Sequence, residues 1–159
     1  MKFIVLALAL LVSGHASADA LVIPAGQKFA CSPTHVWDGD GPIWCEEGPK
    51  VRISGVNARE TDNTCNISHP CPSKEAKWDI ARDFLVNLIG IPTGTKSQHG
   101  HIIVRGPTME CLSVGGAGRD RTAAWCISPR SGDISCELIK SGLAAKWPKY
   151  WKGHACDDD

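Results

Sequence analysis

His35-Val36-Trp37-Asp38-Gly39-Asp40-Gly41-Pro42-Ile43-Trp44-Cys45, and then Val51-Arg52-Ile53-Ser54, is the stretch from which the fold is read. Two short apolar runs, His35 to Trp37 and Ile43 to Cys45, flank Asp-Gly-Asp-Gly-Pro, a dense run of turn-forming residues. Glu46-Glu47-Gly48-Pro49 makes a second turn before Val51 to Ser54, where apolar and polar residues alternate. In a strand that alternation puts Val51 and Ile53 on one face and Arg52 on the other. Lys28-Phe29-Ala30 leads into the first of these segments, so residues from about Gln27 to Val56 are predicted to be short strands joined by tight turns.

Downstream, residues 57–72 form a polar loop that carries Cys65 and Cys71. Ser73 is placed to cap a helix beginning after Pro72, with Glu75 in its first turn. Trp78, Ala81, Leu85 and Leu88 recur at helical spacing with Phe84 beside them, and Gly90 and Pro92 end the helix. His101 to Val104 and Met109 to Val114 read as strands, a glycine-rich turn follows, and Thr122 to Ser128 reads as another. Asp133 or Ser135 caps a second helix through about Lys140, closed by Gly142; the tail with Trp147, Trp151 and Cys156 is expected to fold back under a disulfide. A run of short strands, a helix, further strands and a second helix predict a protein that is mainly β with helices (α+β): a five-stranded OB-fold barrel with two to three appended helices. The same order also admits an open α+β sandwich.

The 159 residues suit one domain, and 43% hydrophobic against 21% charged residues excludes a disordered chain. Lys+Arg and Asp+Glu are both 17, which excludes a histone-like polycation but leaves room for a local basic site. Met1-Lys2, the apolar run Phe3 to Val12 and the small-residue site Ala16-Ser17-Ala18 read as a signal peptide over residues 1–18, leaving residues 19–159 as the single domain. That run falls short of the ~20 residues a membrane span needs. A secreted or periplasmic protein with no membrane span is expected. All eight cysteines lie beyond the signal, and an even count in an exported chain implies disulfides. Cys65 with Cys71, and Cys126 with Cys136 across a turn, are the two locally easy pairs among many pairings. Zinc is disfavoured because the sequence has no Cys-x-x-Cys pair.

Three stretches concentrate chemically useful groups: Asp38-Gly39-Asp40; Arg52 through Asn57 to Glu60; and Gly118-Arg119-Asp120-Arg121-Thr122. Taken singly, each also reads as an ordinary turn, strand end or charged hairpin. In order and spacing they resemble the staphylococcal nuclease (thermonuclease) family: an Asp-Gly-Asp turn after the first strand, then a strand arginine followed five residues on by a metal ligand and eight on by a glutamate. Arg121 stands at the functional arginine of the family's late turn, and Cys136 to Ala145 resembles its last helix with the Gly-Leu-Ala ending. The resemblance runs from about Phe29 to Trp151.

The resemblance implies an exported endonuclease that hydrolyses DNA, and possibly RNA, with Ca2+ assistance and leaves a 3′-phosphate. It assigns Arg52 and Arg121 to clamp phosphate, Glu60 to activate water, Asp40 and Asn57 to ligate the cation, and Asp38 to support them from behind. That set suits phosphodiester hydrolysis: oxygen donors hold a hard cation, guanidinium groups fork onto phosphate, and a carboxylate takes a proton from water. Asn57 stands where better-known members carry Asp, which removes one negative charge and weakens the cation site. Ala58-Arg59 replaces Thr-Pro, Arg119-Asp120 replaces Tyr-Gly, and the only tyrosine, Tyr150, lies in the tail. The alternative is a catalytically weak or inactive OB-fold module that binds single-stranded nucleic acid or another ligand; a third is a disulfide-rich structural or inhibitory protein. The chain is expected to be a monomer. His99 and His101 read as two residues on one strand face, His69 as a loop residue near the cleft, and Trp44, Trp78 and Trp125 as core.

Overall fold

The computed structural model describes residues 21–156. The signal peptide expected over residues 1–18 and the acidic end from Asp157 to Asp159 lie outside the described residues. The strands are β1 (Lys28–Cys31), β2 (Pro33–Val36), β3 (Ile43–Cys45), β4 (Lys50–Ile53), β5 (Val56–Asn57), β6 (Ile91–Lys96), β7 (Ile102–Arg105), β8 (Met109–Gly116), β9 (Thr122–Ser128), β10 (Gly132–Asp133) and β11 (Ala145–Lys146). The helices are α1 (Trp78–Ile89) and α2 (Ile134–Lys140), and Pro148–Tyr150 is a single 3-10 turn.

The architecture is α+β, with a nine-stranded open mixed sheet and two helices, and there is no closed barrel among the described residues. The five-stranded OB-fold barrel expected from the element order is therefore incorrect. Strands run in the order β1-β8-β9-β4-β3-β2-β7-β6, with β10 on β9 and a separate β11–β5 pair. Every pairing is antiparallel except β4 with β9. Two features could not be read from alternation. Ser32 alone separates β1 from β2, yet β1 pairs with β8 while β2 pairs with β3 and β7. Strand β6, Ile-Pro-Thr-Gly-Thr-Lys, is exposed along its whole length, so no buried face marks it, and it extends the sheet beyond β7.

Burial follows the alternation where the sequence carries it. Val51 and Ile53 of β4 are buried, while Lys50 and Arg52 on the other face are only half-buried. Ala81, Leu85, Val86, Leu88 and Ile89 of α1 pack with Val36, Ile43, Val104, Met109, Ile134 and Leu138 in one core. Each fully buried aliphatic side chain contributes about 1.5–3 kcal/mol. Helix α1 begins at Trp78, not after Pro72, and Ser73 does not cap it: the Trp78 N–H donates to Asn63 Oδ1 at 3.0 Å, an oxygen from the loop. Asp133 caps α2 as expected, accepting from Cys136 N at 2.9 Å.

Four disulfides join Cys31–Cys45, Cys65–Cys71, Cys111–Cys126 and Cys136–Cys156. The expected Cys126–Cys136 pair is incorrect. Cys111 and Cys126 face each other directly in the β8–β9 ladder, so Cys126 is claimed by the neighbouring strand, and Cys136 is left to hold the tail. Four bridges are consistent with an extracytoplasmic location. Among the described residues no helix is long and apolar enough to cross a membrane. Of the tryptophans expected in the core, Trp125 is buried but Trp44 and Trp78 are only half-buried; Trp151 of the tail is the additional buried one.

Candidate functional site

The Asp-Gly-Asp turn sits between β2 and β3, tied across its base by Trp37 N–H to Pro42 O at 3.1 Å. Gly39 lets this turn approach α1: a Cβ there would lie 2.5 Å from the Ala81 Cβ. The close approach buries both acids, Asp38 to 8% exposure and Asp40 to 4%. Asp40 accepts from Ala58 N–H through Oδ2 at 2.8 Å, and its Oδ1 pairs with the Arg52 guanidinium. Arg52 also donates to Asn57 Oδ1 at 3.4 Å. The Asn57 amide in turn donates to Pro70 O at 2.9 Å and Ala58 O at 3.2 Å, so it joins β5 to the Cys65–Cys71 loop.

Arg121 reaches the same place because β4 and β9 run parallel. Val51 is opposite Thr122 and Arg52 opposite Ala123, which sets Arg121 at the entry to β9 alongside β4. Its guanidinium is held by turn carbonyls, Nε to Gly118 O at 3.2 Å and NH2 to Ala117 O at 3.0 Å. Arg119 and Asp120 in this turn have φ values of 49° and 56°, a left-handed pair of the kind that tight hairpins require. Glu60 stands exposed at the rim. Asp38, Asp40, Arg52, Asn57, Glu60 and Arg121 all line one cleft of about 630 Å³. No residue assigned from sequence to the site lies elsewhere.

Burial raises the Asp38 pKa to about 7; Arg52 and Arg121 pull it down and Glu60 pushes it up, but desolvation is the largest influence. Burial also pulls Arg52 down, opposed by Asp38 and reinforced by Arg121, with Glu60 opposing as well. A guanidinium nonetheless keeps its proton at neutral pH. The cleft thus brings together the guanidinium groups of Arg52, Arg119 and Arg121, a buried Asp40 paired with Arg52, a buried Asp38 that holds its proton up to near neutrality, and the exposed Glu60 carboxylate.

The oxygens of Asp40 and Asn57 converge, since both contact the same Arg52 guanidinium. These donors fit a weakly held hard cation that must compete with Arg52 for them. A second convergence of metal-type groups, Asp133, Cys136 and His154, is spoken for: Cys136 is in a disulfide, Asp133 caps α2, and His154 Nε2 lies 3.0 Å from Asp133 Oδ2.

Some cleft residues were not assigned from sequence. Trp147 and Tyr150 form an aromatic wall, their rings edge-on with centroids 4.8 Å apart. They arrive because β11 pairs with β5, Ala145 opposite Asn57, a long-range pairing with no local signal. Tyr150 is therefore a cleft residue despite its place in the tail. His69 also lines the cleft, its ring 4.1 Å from Trp147 and its buried Nδ1 without a partner. Arg59 organises the loop by donating to three carbonyls, Asn63 O at 2.7 Å, Pro72 O at 3.0 Å and Ser73 O at 3.0 Å. Contrary to expectation, His99 and His101 are not on a strand: they belong to the turn between β6 and β7, with ring centroids 5.9 Å apart.

No protein-family model matches the sequence, and no curated protein matches it significantly.

Proposed function

We propose that this chain is an exported phosphodiesterase of the staphylococcal nuclease kind, cutting DNA and RNA strands. The single observation that carries the proposal is the convergence of Arg52, Arg121, Glu60 and the Asp38–Asp40 turn, from three separated stretches of chain, in one cleft. A phosphate diester entering the cleft meets two guanidinium groups whose positions are set by backbone and carboxylate partners. They bind its oxygens and neutralise the charge that grows as the pentacoordinate state forms. Glu60, exposed at the rim, takes a proton from the attacking water as its oxygen bonds to phosphorus; the 5′-oxygen leaves and is protonated from solvent, and the 3′-phosphate remains. Asp38 and Asp40 hold the turn and orient Arg52. A Ca2+ ion held by Asp40 and Asn57 would supply Lewis-acid polarisation of the phosphate.

One observation favours a second reading, a binding module that does not cut. Arg52 already engages the two oxygens a cation would use, and the Asn57 amide is committed to the loop. The two readings separate on a single-stranded oligonucleotide assayed with millimolar Ca2+ or with chelator. In the nuclease reading, Ca2+-dependent cutting falls about 10²–10³-fold in both Glu60→Ala and Arg121→Ala. Tight binding without product at any Ca2+ concentration supports the module instead. Neither binding nor cutting defeats both.

A further inference from the structure

Beside the main cleft lies a second hollow of about 300 Å³, at the small end of ligand-sized sites. It shares Asp38, Glu60, Arg119 and Arg121 with the main cleft, so the two are segments of one groove that meet beside Arg121. Its far wall differs in chemistry. His101 stacks on Trp44 with centroids 4.4 Å apart and planes 25° apart, and Trp37 stands at right angles to His101 at 5.0 Å. Trp37 is 38% exposed although it directly precedes the buried Asp38, and Lys50 lines the same hollow.

Trp37, Trp44 and His101 line the hollow together, so the exposed indole belongs to a grouped aromatic surface and is not an isolated side chain. Trp37 is also braced: the hairpin holds its backbone through Trp37 N–H to Pro42 O, and its ring meets His101, which is itself stacked on Trp44. Burial, and then the neighbouring imidazoles of His35 and His99, hold His101 below the usual histidine range. The stack at pH 7 is therefore neutral, and the cationic groups of the hollow are Lys50, Arg119 and Arg121. A rigid aromatic face next to separate cations matches a nucleotide, whose base stacks while its phosphate meets the cation.

We propose that the Trp37–Trp44–His101 hollow is a base-stacking subsite for the nucleotide adjoining the scissile phosphate, with Trp37 as the stacking face and Lys50 and Arg119 facing its phosphate. This rests on the nuclease reading of the main cleft and adds to it a substrate contact in the part of the groove that Trp147 and Tyr150 do not line.

The probe is a labelled single-stranded oligodeoxynucleotide carrying one tetrahydrofuran abasic site, moved along the strand, with anisotropy read in chelator. For the unmodified protein, an abasic site at one position should weaken binding about 10-fold relative to the intact strand. In Trp37→Ala that intact-to-abasic ratio collapses to near 1 at the same position, and Trp37→Phe restores most of it. A ratio unchanged in Trp37→Ala, with the intact strand still bound, overturns the subsite and leaves the phosphate reading standing. Failure of the unmodified protein to bind any strand overturns both. Near-ultraviolet circular dichroism, compared between variants, shows whether the remaining aromatic packing is intact.

Discussion

Asn57 has three hydrogen-bond partners, and its two ends are pulled to different uses. Its oxygen faces Arg52, where a cation ligand would be wanted, and its N–H groups hold Pro70 O and Ala58 O. Asn57→Asp restores an anionic ligand but cannot donate, and leaves the Pro70 carbonyl unpartnered. Calorimetric titration with Ca2+ should show tighter binding, while urea unfolding should show a loss of about 1–3 kcal/mol. Unchanged Ca2+ affinity would remove Asn57 from the cation site. Asp38 makes the second residue-scale prediction. Its folded pKa, about 7, lies above the unfolded value of about 3.9, so the folded state holds the extra proton between those limits. Stability is therefore greatest below the unfolded pKa and declines as pH rises through this window to the folded pKa. Asp38→Asn mimics the protonated acid and should remove a loss on the order of 4 kcal/mol between pH 4 and pH 8. Parallel stability–pH curves for the two proteins would count against burial as the cause. The spacing Arg52, Asn57, Glu60 was legible in the sequence because the three lie close along the chain, in β4, in β5 and in the loop that follows β5. The second hydrogen-bonding duty of Asn57 was not, because Pro70 lies across a loop.

Elements were legible to the extent that their faces differ. Strand β9 runs over Thr122–Ser128, the span its apolar content indicated, and α2 is capped by Asp133 as its sequence signalled. Strand β6 was invisible because both of its faces are exposed. The start of α1 was misplaced for a different reason: a cap is a hydrogen bond to an orphan N–H, and any oxygen that arrives there will serve. Asn63, itself in the left-handed region at φ 63°, supplies it from 15 residues upstream. Asn63→Ala removes that acceptor and puts alanine where φ is positive. It should cost about 1–2 kcal/mol in thermal or urea unfolding, typical for loss of a cap. Asn63→Gly should recover part of the loss through relief of the backbone strain alone. Equal stability of all three proteins would show that the cap is made by water.

Across the whole molecule, the tail is the element that completes the site wall. Cys136–Cys156 closes a 20-residue separation, Trp147 N–H donates to Gly55 O at 2.7 Å, and His154 stacks on Trp125 with centroids 3.8 Å apart. Replacing Cys136 and Cys156 together with serine should lower stability by about 3 kcal/mol. It should also loosen Trp147 and Tyr150 from the cleft, seen as increased quenching of tryptophan fluorescence by acrylamide. Unchanged quenching would mean that packing alone keeps the tail in place. Local chemistry is what the sequence by itself determined: most of the strands with a buried face, the second helix and its cap, which residues turn the chain, and that the cysteines pair. These depend on neighbours a few residues apart, whose faces and spacings are written in order. Only the tertiary structure decided that the sheet stays open, that Cys126 pairs with Cys111, and that the tail lines the cleft beside Asn57. A strand edge offers the same N–H and C=O groups to any partner. Which partner it takes is settled by the packing of the whole chain, and alternation along one strand carries no record of that choice.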